Sequence, residues 1–329
     1  MKKRFFAVLA VIGLALCSVP TFAQTEADFT VGLTDDGEGV VIEKYNGKAA
    51  KAVIPAKIQG MPVREIGDRA FKFLSERERL IAATDAMMMS RTVQGAGAVE
   101  ETSASSVTSV VIPSGVIRIG NSAFSGQGNL VSVTIPPTVT AIGDGAFAYT
   151  SITQITLPAA LKTIGKDIFS GCSKLAAVTI PEGFTVIGEN LFAETAITAI
   201  TIPSTVSRIA GGAFANTRLK SITLPPGITK IEGGTFSNCS LTSIIIPEGV
   251  TEIESGAFSG CGALASLTLP STIKKIAAGA FRNCSSLITV TIPDSVETIS
   301  MDNSAFTGCP KVNLASQAAL KKRGYTGRF

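Results

Sequence analysis

Five cysteines, Cys172, Cys239, Cys261, Cys284 and Cys309, each stand three residues after a phenylalanine. Thiols in a chain bound for export would ordinarily pair as disulfides, and a thiol cluster could also hold a soft metal. The spacing points elsewhere. Other copies of the same motif place Gln127, Thr150, Thr195 and Thr217 at that slot. Exchange among Cys, Thr and Gln describes an internal row of modest hydrogen-bond donors that tie the turns of neighbouring repeats. The row comprises Thr150, Cys172, Thr195, Thr217, Cys239, Cys261, Cys284 and Cys309. Stacked neighbours such as Cys239 and Cys261 would stand ~5 Å apart at Cα, but with parallel side chains that do not converge on a disulfide. Five free thiols are expected. No C-x-x-C pair occurs, which leaves metal binding by the row as the weaker alternative.

The chain has no histidine, which removes Ser-His-Asp and Cys-His nucleophilic sites and most catalytic zinc sites. Gly143-Asp-Gly145-Ala-Phe-Ala148 loosely fits a dinucleotide fingerprint, yet no βαβ unit surrounds it. Neither an enzyme nor a cofactor is indicated.

The elements that must position the row are repeats of 22 or 23 residues. Phe124, Phe147, Phe169, Phe192, Phe214, Phe236, Phe258, Phe281 and Phe306 mark nine copies, with an outlying match at Phe71. That period predicts a solenoid, in which each unit hides its apolar side only against its neighbours. In each copy Leu-x-x-Val-x-Ile-Pro alternates apolar positions and is rich in β-branched residues, so it reads as one parallel strand per repeat. The proline after it ends the strand because it has no N–H for a ladder. Pro-Glu-Gly, Pro-Ser-Thr or Pro-Pro-Gly then turns the chain. A second apolar pair, such as Val139 and Ile142, reads as a short extended segment, and Ala146-Phe147 as a helical turn. The glycine after the isoleucine does not read as a left-handed position, because Gly120, Gly143, Gly165 and Gly188 give way to Ala210, Glu232, Glu254 and Ala277.

Alternation turns Val178 and Ile180 inward and Ala177 and Thr179 outward. The central outward row reads Val111, Thr134, Thr156, Thr179, Thr201, Thr223, Ile245, Thr268 and Thr291. It is small, hydroxyl-bearing and uncharged. From Thr134 to Thr291 it is the candidate recognition surface for an extended protein or glycan, although threonine also simply suits a strand.

Five segments follow from this. Residues 1–23 have the basic, apolar, small-residue order of a secretory signal cut after Ala23, with lipidation of Cys17 as the rival. Residues 24–71 form a β-hairpin cap, Phe29 to Leu33 and Val40 to Ile42 about an Asp35-Asp36-Gly37 turn, and a first repeat. Residues 72–106 interrupt the period. There Ser75 and Glu78 open a helix over 76–89, followed by a Gly/Ala/Ser-rich loop; the helix either docks a partner or lies on the solenoid flank. Residues 107–310 are the array. Residues 311–329 cap it with a helix over 317–323, begun by Ser316 and ended by Gly324. Without Lys2, Lys3 and Arg4 the chain has 26 basic residues against 25 acidic. The repeats carry no basic stripe, so nucleic acid is not an expected partner. No segment after the leader is long and apolar enough to span a membrane.

The array Leu-x-x-Val-x-Ile-Pro-x-x-Val-x-x-Ile-Gly-x-x-Ala-Phe-x-x-Cys resembles the bacterial leucine-rich repeat of the BspA-like, treponemal type. The likeness covers residues 107–310, with flanking matches at 60–71 and 316–327. It implies a secreted or surface protein of a host-associated bacterium that attaches to extracellular matrix or to other microbes. A passive or self-associating surface protein fits the same faces. An ice-binding array, suggested by the threonines, fits less well because only one threonine per strand is regular.

Overall fold

The computed structural model describes residues 24–71 and 107–329. The leader at 1–23 and the helix and loop read at 72–106 lie outside them. The described chain winds into ten coils, one for each phenylalanine from Phe71 to Phe306. Phe71 is the first member of the stack: its ring lies 4.7 Å from that of Phe124, although the two are 53 residues apart in sequence.

Each coil has three sides. The first is the expected strand, as in Ser109–Val111, Ser132–Thr134 and Ser243–Ile245. The second is the short segment after the proline turn. It too pairs from coil to coil, as Arg118–Ile119 does with Ala141–Ile142, so two parallel ladders run along the stack. The third carries the phenylalanine and is a chain of tight turns, such as Ala123 N–H to Gly120 C=O, Ser125 to Ser122 and Gln127 to Phe124.

On this third side every other N–H leaves its own coil. Phe124 donates to Ala146 at 2.8 Å, Phe147 to Ile168 at 3.0 Å and Phe214 to Thr235 at 2.9 Å, and the pattern continues to Phe281 and Ala305. The alternation goes with left-handed backbone two residues before and two residues after each phenylalanine from Phe124 to Phe281. The later slot holds Gly171 (φ 73°) and Gly260 (φ 74°), or Asn216, Asn238 and Asn283, the residue types that accept this conformation. The glycine after the isoleucine is not left-handed, as its replacement by Glu implies. A Cβ on Gly143 would stand 2.7 Å from the Asn121 backbone nitrogen, so close coil approach explains it instead.

The first ladder is interrupted, and coil length accounts for where. After Phe124, Phe169, Phe258 and Phe281 the chain has an extra residue before the next leucine. There it closes a turn in which Leu130, Leu175, Leu264 and Leu287 bond back to Gln127, Cys172, Cys261 and Cys284. The strands reached through these turns pair with the strand before them. After Phe147, Phe192, Phe214 and Phe236 the connection is one residue shorter, and no ladder forms across the step.

The ends are closed differently. Strand β1 (Phe29–Leu33) pairs antiparallel with β2 (Val40–Tyr45), and β2 lies against β3 (Met61–Ile66) of the first coil. The hairpin therefore covers the edge of the second ladder. At the other end the helix α1 spans Leu314–Lys322. Its N-cap is Asn313, whose side chain accepts from Ser316 N–H at 2.8 Å, and not Ser316 as the sequence suggested. Ser316 is buried within the helix, and its hydroxyl accepts from Val290 N–H at the last strand. A cap at that position would have left the edge amide unpaired. Arg323, only 6% exposed, donates to the carbonyls of Val296, Ala319 and Pro293, closing the last coil.

Stacked rings from Phe71 to Phe306 fill the centre at 4.7 to 5.9 Å between centroids. Truncating one leaves a cavity that both neighbouring coils border. Phe214→Ala is expected to lower stability by about 3–5 kcal/mol in urea unfolding, whereas a loss under about 1 kcal/mol would mean the stack does not depend on its rings.

Candidate functional site

The row of Cys, Thr and Gln lies inside the coil, beside the phenylalanine stack. Thr150, Cys172, Thr195, Thr217, Cys239, Cys261, Cys284 and Cys309 are all buried, as is Gln127. Each thiol donates to the phenylalanine carbonyl of the coil before it: Cys172 to Phe147 at 3.1 Å, Cys239 to Phe214 at 3.1 Å, Cys261 to Phe236 at 3.0 Å, Cys284 to Phe258 at 3.3 Å and Cys309 to Phe281 at 3.1 Å. The carbonyls of Phe236, Phe258 and Phe281 also accept a backbone N–H of their own coil, as Phe236 does from Cys239 at 3.3 Å. Both lone pairs of these carbonyls are thereby used.

Gln127 likewise reaches the Phe71 carbonyl of the preceding coil. Thr195 and Thr217 do not span coils in this way. Their shorter hydroxyl arms bond to Phe192 and Phe214 of their own coils at 2.8 and 2.9 Å. Thr217 also shares a 3.2 Å hydrogen bond with Cys239 Sγ, as Thr150 does with Cys172 Sγ.

All five thiols are unpaired, and no metal-binding cluster occurs among the described residues. Burial pushes the Cys239 thiol up to about 11 and the Cys261 thiol up to about 12. Cys284 is held protonated by its hydrogen bond with Cys309 and by burial. These are poor nucleophiles, because the reactive form is the thiolate.

The candidate recognition row lies on the outer side of the first strand. Thr134, Thr156, Thr179, Thr201, Thr223, Ile245 and Thr291 are exposed, Ile245 at 72%, and Thr268 is half-buried. The strand ladder does not carry the row without a break: Thr201 and Thr223 stand on coils outside any strand. No charged residue interrupts it.

The outer side of the second ladder is different. Its row runs Glu65, Arg118, Ala141, Thr163, Val186, Arg208, Lys230, Glu252 and Lys275. Arg118 binds Glu65 at 2.7 Å, and Glu252 takes Lys275 at 2.7 Å and Lys230 at 3.2 Å. Hydrogen bonds from Lys275 and Lys230 draw the Glu252 carboxyl below its ordinary range. Such exposed pairs contribute ~0–1 kcal/mol each. This charged face was missed in the sequence, where its charges look scattered. The signal is their fixed slot, immediately before the second isoleucine of each unit.

A parallel β-solenoid with a phenylalanine spine, a polar inner row and two chemically distinct outer faces belongs to the leucine-rich-repeat class. The family model for the BspA type leucine rich repeat region matches residues 102–218 and 185–313, with six copies. The chain belongs to that family. No curated protein matches it. Among solved structures, a leucine rich cell surface protein from Faecalibacterium prausnitzii is 24% identical, with a TM-score of 0.52, over 89% of this chain and 88% of that one. A leucine-rich repeat protein from Bacteroides ovatus is 22% identical, with a TM-score of 0.58, over 89% and 81%. The pneumococcal vaccine antigen PcpA is 17% identical, with a TM-score of 0.55, over 85% and 84%. At these identities the likeness establishes the fold. Among the described residues no helix is long and apolar enough to cross a membrane.

Two measurements bear on the inner row. Thiol titration without reductant should find five reactive groups in the unfolded chain prepared without residues 1–23 and none in the folded one; recovery of only one would mean that cystines form. Because the folded Cys239 and Cys261 thiols bind protons more tightly than unfolded ones, their contribution is complete below the unfolded thiol range and is lost as pH rises from about 8.5. Urea midpoints should therefore fall above that pH, and a Cys239→Thr, Cys261→Thr variant should fall less steeply. Parallel profiles would show that the thiols do not govern alkaline stability.

Proposed function

We propose that this protein is an exported binding protein that attaches through the outer face of its first strand, from Thr134 to Thr291, to an extended protein or glycan on a host matrix or on another microbe. The observation that carries the proposal is the uncharged, hydroxyl-rich outer row that recurs on successive coils. Stacked repeats present long regular faces suited to extended partners. The BspA-type family and the cell-surface description of the Faecalibacterium protein agree with such a role. The signal-like order of residues 1–23 supports export.

Trp, Tyr and Arg, which dominate binding hot spots, are missing from the row, so affinity must come from contact area or from many copies on one surface. Solid-phase binding of the mature protein to matrix and microbial surface preparations tests the proposal. Thr179→Lys, Thr201→Lys and Thr223→Lys together should abolish binding while leaving the circular dichroism unchanged. Unchanged binding would move the site to the charged face. Concentration-dependent growth in light scattering without surface binding would favour a self-associating structural protein.

A further inference from the structure

The two ends of the stack carry opposite charge. Residues 24–50, which include the hairpin at the first end, hold Glu26, Asp28, Asp35, Asp36, Glu38 and Glu43 against Lys44 and Lys48. Residues 311–329, which close the last end, hold Lys311, Lys321, Lys322, Arg323 and Arg328 and no acid. Among the described residues only Glu38 and Arg323 of these two sets have an ionic partner, Arg64 at 3.7 Å and Asp294 at 3.8 Å. Both sets lie outermost. No described strand lies beyond β1, and α1 lies over the last strand of the first side, Thr289–Thr291.

The charges also stand at matching corners of the coil. The turn over 34–39 lies against the proline corner of the first coil: Glu38 meets Arg64, and a Cβ on Gly39 would stand 2.9 Å from the Pro62 carbonyl oxygen. Lys321 and Lys322 lie over the same corner of the last coil, because the next residue, Arg323, donates to the carbonyls of Pro293 and Val296 in its proline turn. A second corner, where the coil enters the phenylalanine side, carries half-buried Asp28 at the first end and exposed Arg328 at the last. There the Asp28 carbonyl accepts from Asn46 N–H beside the Tyr45–Ala70 bond, and the Arg328 carbonyl accepts from the Tyr325 hydroxyl beside Asn303. Hydrogen bonds from the Thr34 hydroxyl and the Glu38 N–H hold the Asp36 carboxyl below its ordinary range. Minority charges beside the two proline corners, Lys57 and Glu297, are opposite as well. Only the third corner, with Lys48 and Lys311, has like charges at both ends.

We infer that copies of this protein associate end to end, the hairpin end of one copy seating on the helix end of the next, with Asp35 and Asp36 facing Lys321 and Lys322 and Asp28 facing Arg328. A head-to-tail joint leaves one end of each outer copy unused, so it can repeat into rods. The occupant is a second copy because both ends match at two corners, whereas a polyanion answers the helix end alone. The joint is one coil in cross-section and its ion pairs are exposed, so it is weak, sensitive to salt and set in register by charge. This does not rest on the attachment reading, although rods would supply the many copies which that reading calls for.

Sedimentation velocity over a concentration series tests the joint, on the chain prepared without residues 1–23. The mean sedimentation coefficient should rise with concentration in low salt and stay flat in about 1 M salt, where charges are screened beyond ~3 Å. Asp35→Lys with Glu38→Lys, and separately Lys321→Glu with Lys322→Glu, should each raise the association Kd by about tenfold or more. Asp36 is left in place because its carboxylate closes the turn. An equal mixture of the two variants should restore association, since each then meets its opposite. Lys162→Glu with Lys174→Glu, exposed on the middle coils, changes the charge away from the ends and should leave association as it is. A flat profile in low salt, growth that persists in high salt, a mixture that stays monomeric, or an equal effect of the Lys162 and Lys174 changes would overturn the inference. So would binding of heparin at the helix end without self-association. Surface binding by a chain that stays monomeric would refute the joint and leave the attachment reading standing; association without surface binding would do the reverse.

Discussion

The hydrogen bond from each phenylalanine N–H to the carbonyl just before the next phenylalanine recurs at every step of the stack. It runs from Phe71 to Ala123 and onward to Phe281 and Ala305 at 2.7 to 3.1 Å, including the steps where one or both strand ladders are missing. The stacked rings sit directly behind it. A coil of this chain is therefore held by its turn side, and the strands are free to vary. Along that side alternating right- and left-handed residues aim successive N–H groups at the C-terminal neighbour, which is why glycine and asparagine recur around each phenylalanine. The thiols add a second tie beside it, to the phenylalanine carbonyl of the preceding coil. The inner polar row and the aromatic spine thus act as a single device, with the backbone as its third part.

Much of this was legible in the sequence, for a physical reason: a repeat states its rules many times over. Phenylalanines at fixed spacing marked the spine, and the exchange of Cys for Thr and Gln marked the inner row. Replacement of Gly120 and Gly143 by Glu at other copies ruled out a left-handed slot there. The same comparison applied two residues either side of phenylalanine would have found the real left-handed positions. At those slots Tyr149, Glu194 and Asp167 share the conformation with glycine and asparagine and obscure the pattern. The second ladder was hidden because a two-residue strand has no alternation to display.

Features that occur once were harder to read. Ser316 looked like a helix cap because serine commonly is one, yet Asn313 serves and Ser316 satisfies a strand amide instead. Nothing in the sequence sets Arg323 apart from its neighbours Lys321 and Lys322, yet its guanidinium is buried against three carbonyls. The breaks in the first ladder were present in the text as single-residue differences between Phe and Leu, such as Cys172-Ser-Lys-Leu175 against Thr217-Arg-Leu219. Their consequence depends on whether the chain closes one more turn before entering the strand, a three-dimensional fact. For the recognition surface, alternation placed the outer row on the outside. It could not show that the row crosses coils whose strands are unpaired.

Amide hydrogen exchange across the middle coils tests most directly whether the turn side holds the stack. The N–H groups of Phe192, Phe214 and Phe236 should exchange only with global or near-global opening, while those of Ile200, Ile202 and Leu224, in the same coils, should exchange rapidly. Rapid exchange at the phenylalanines with protection at residues 200–202 and 222–224 would show that the strands carry the stack and that the turn side merely follows.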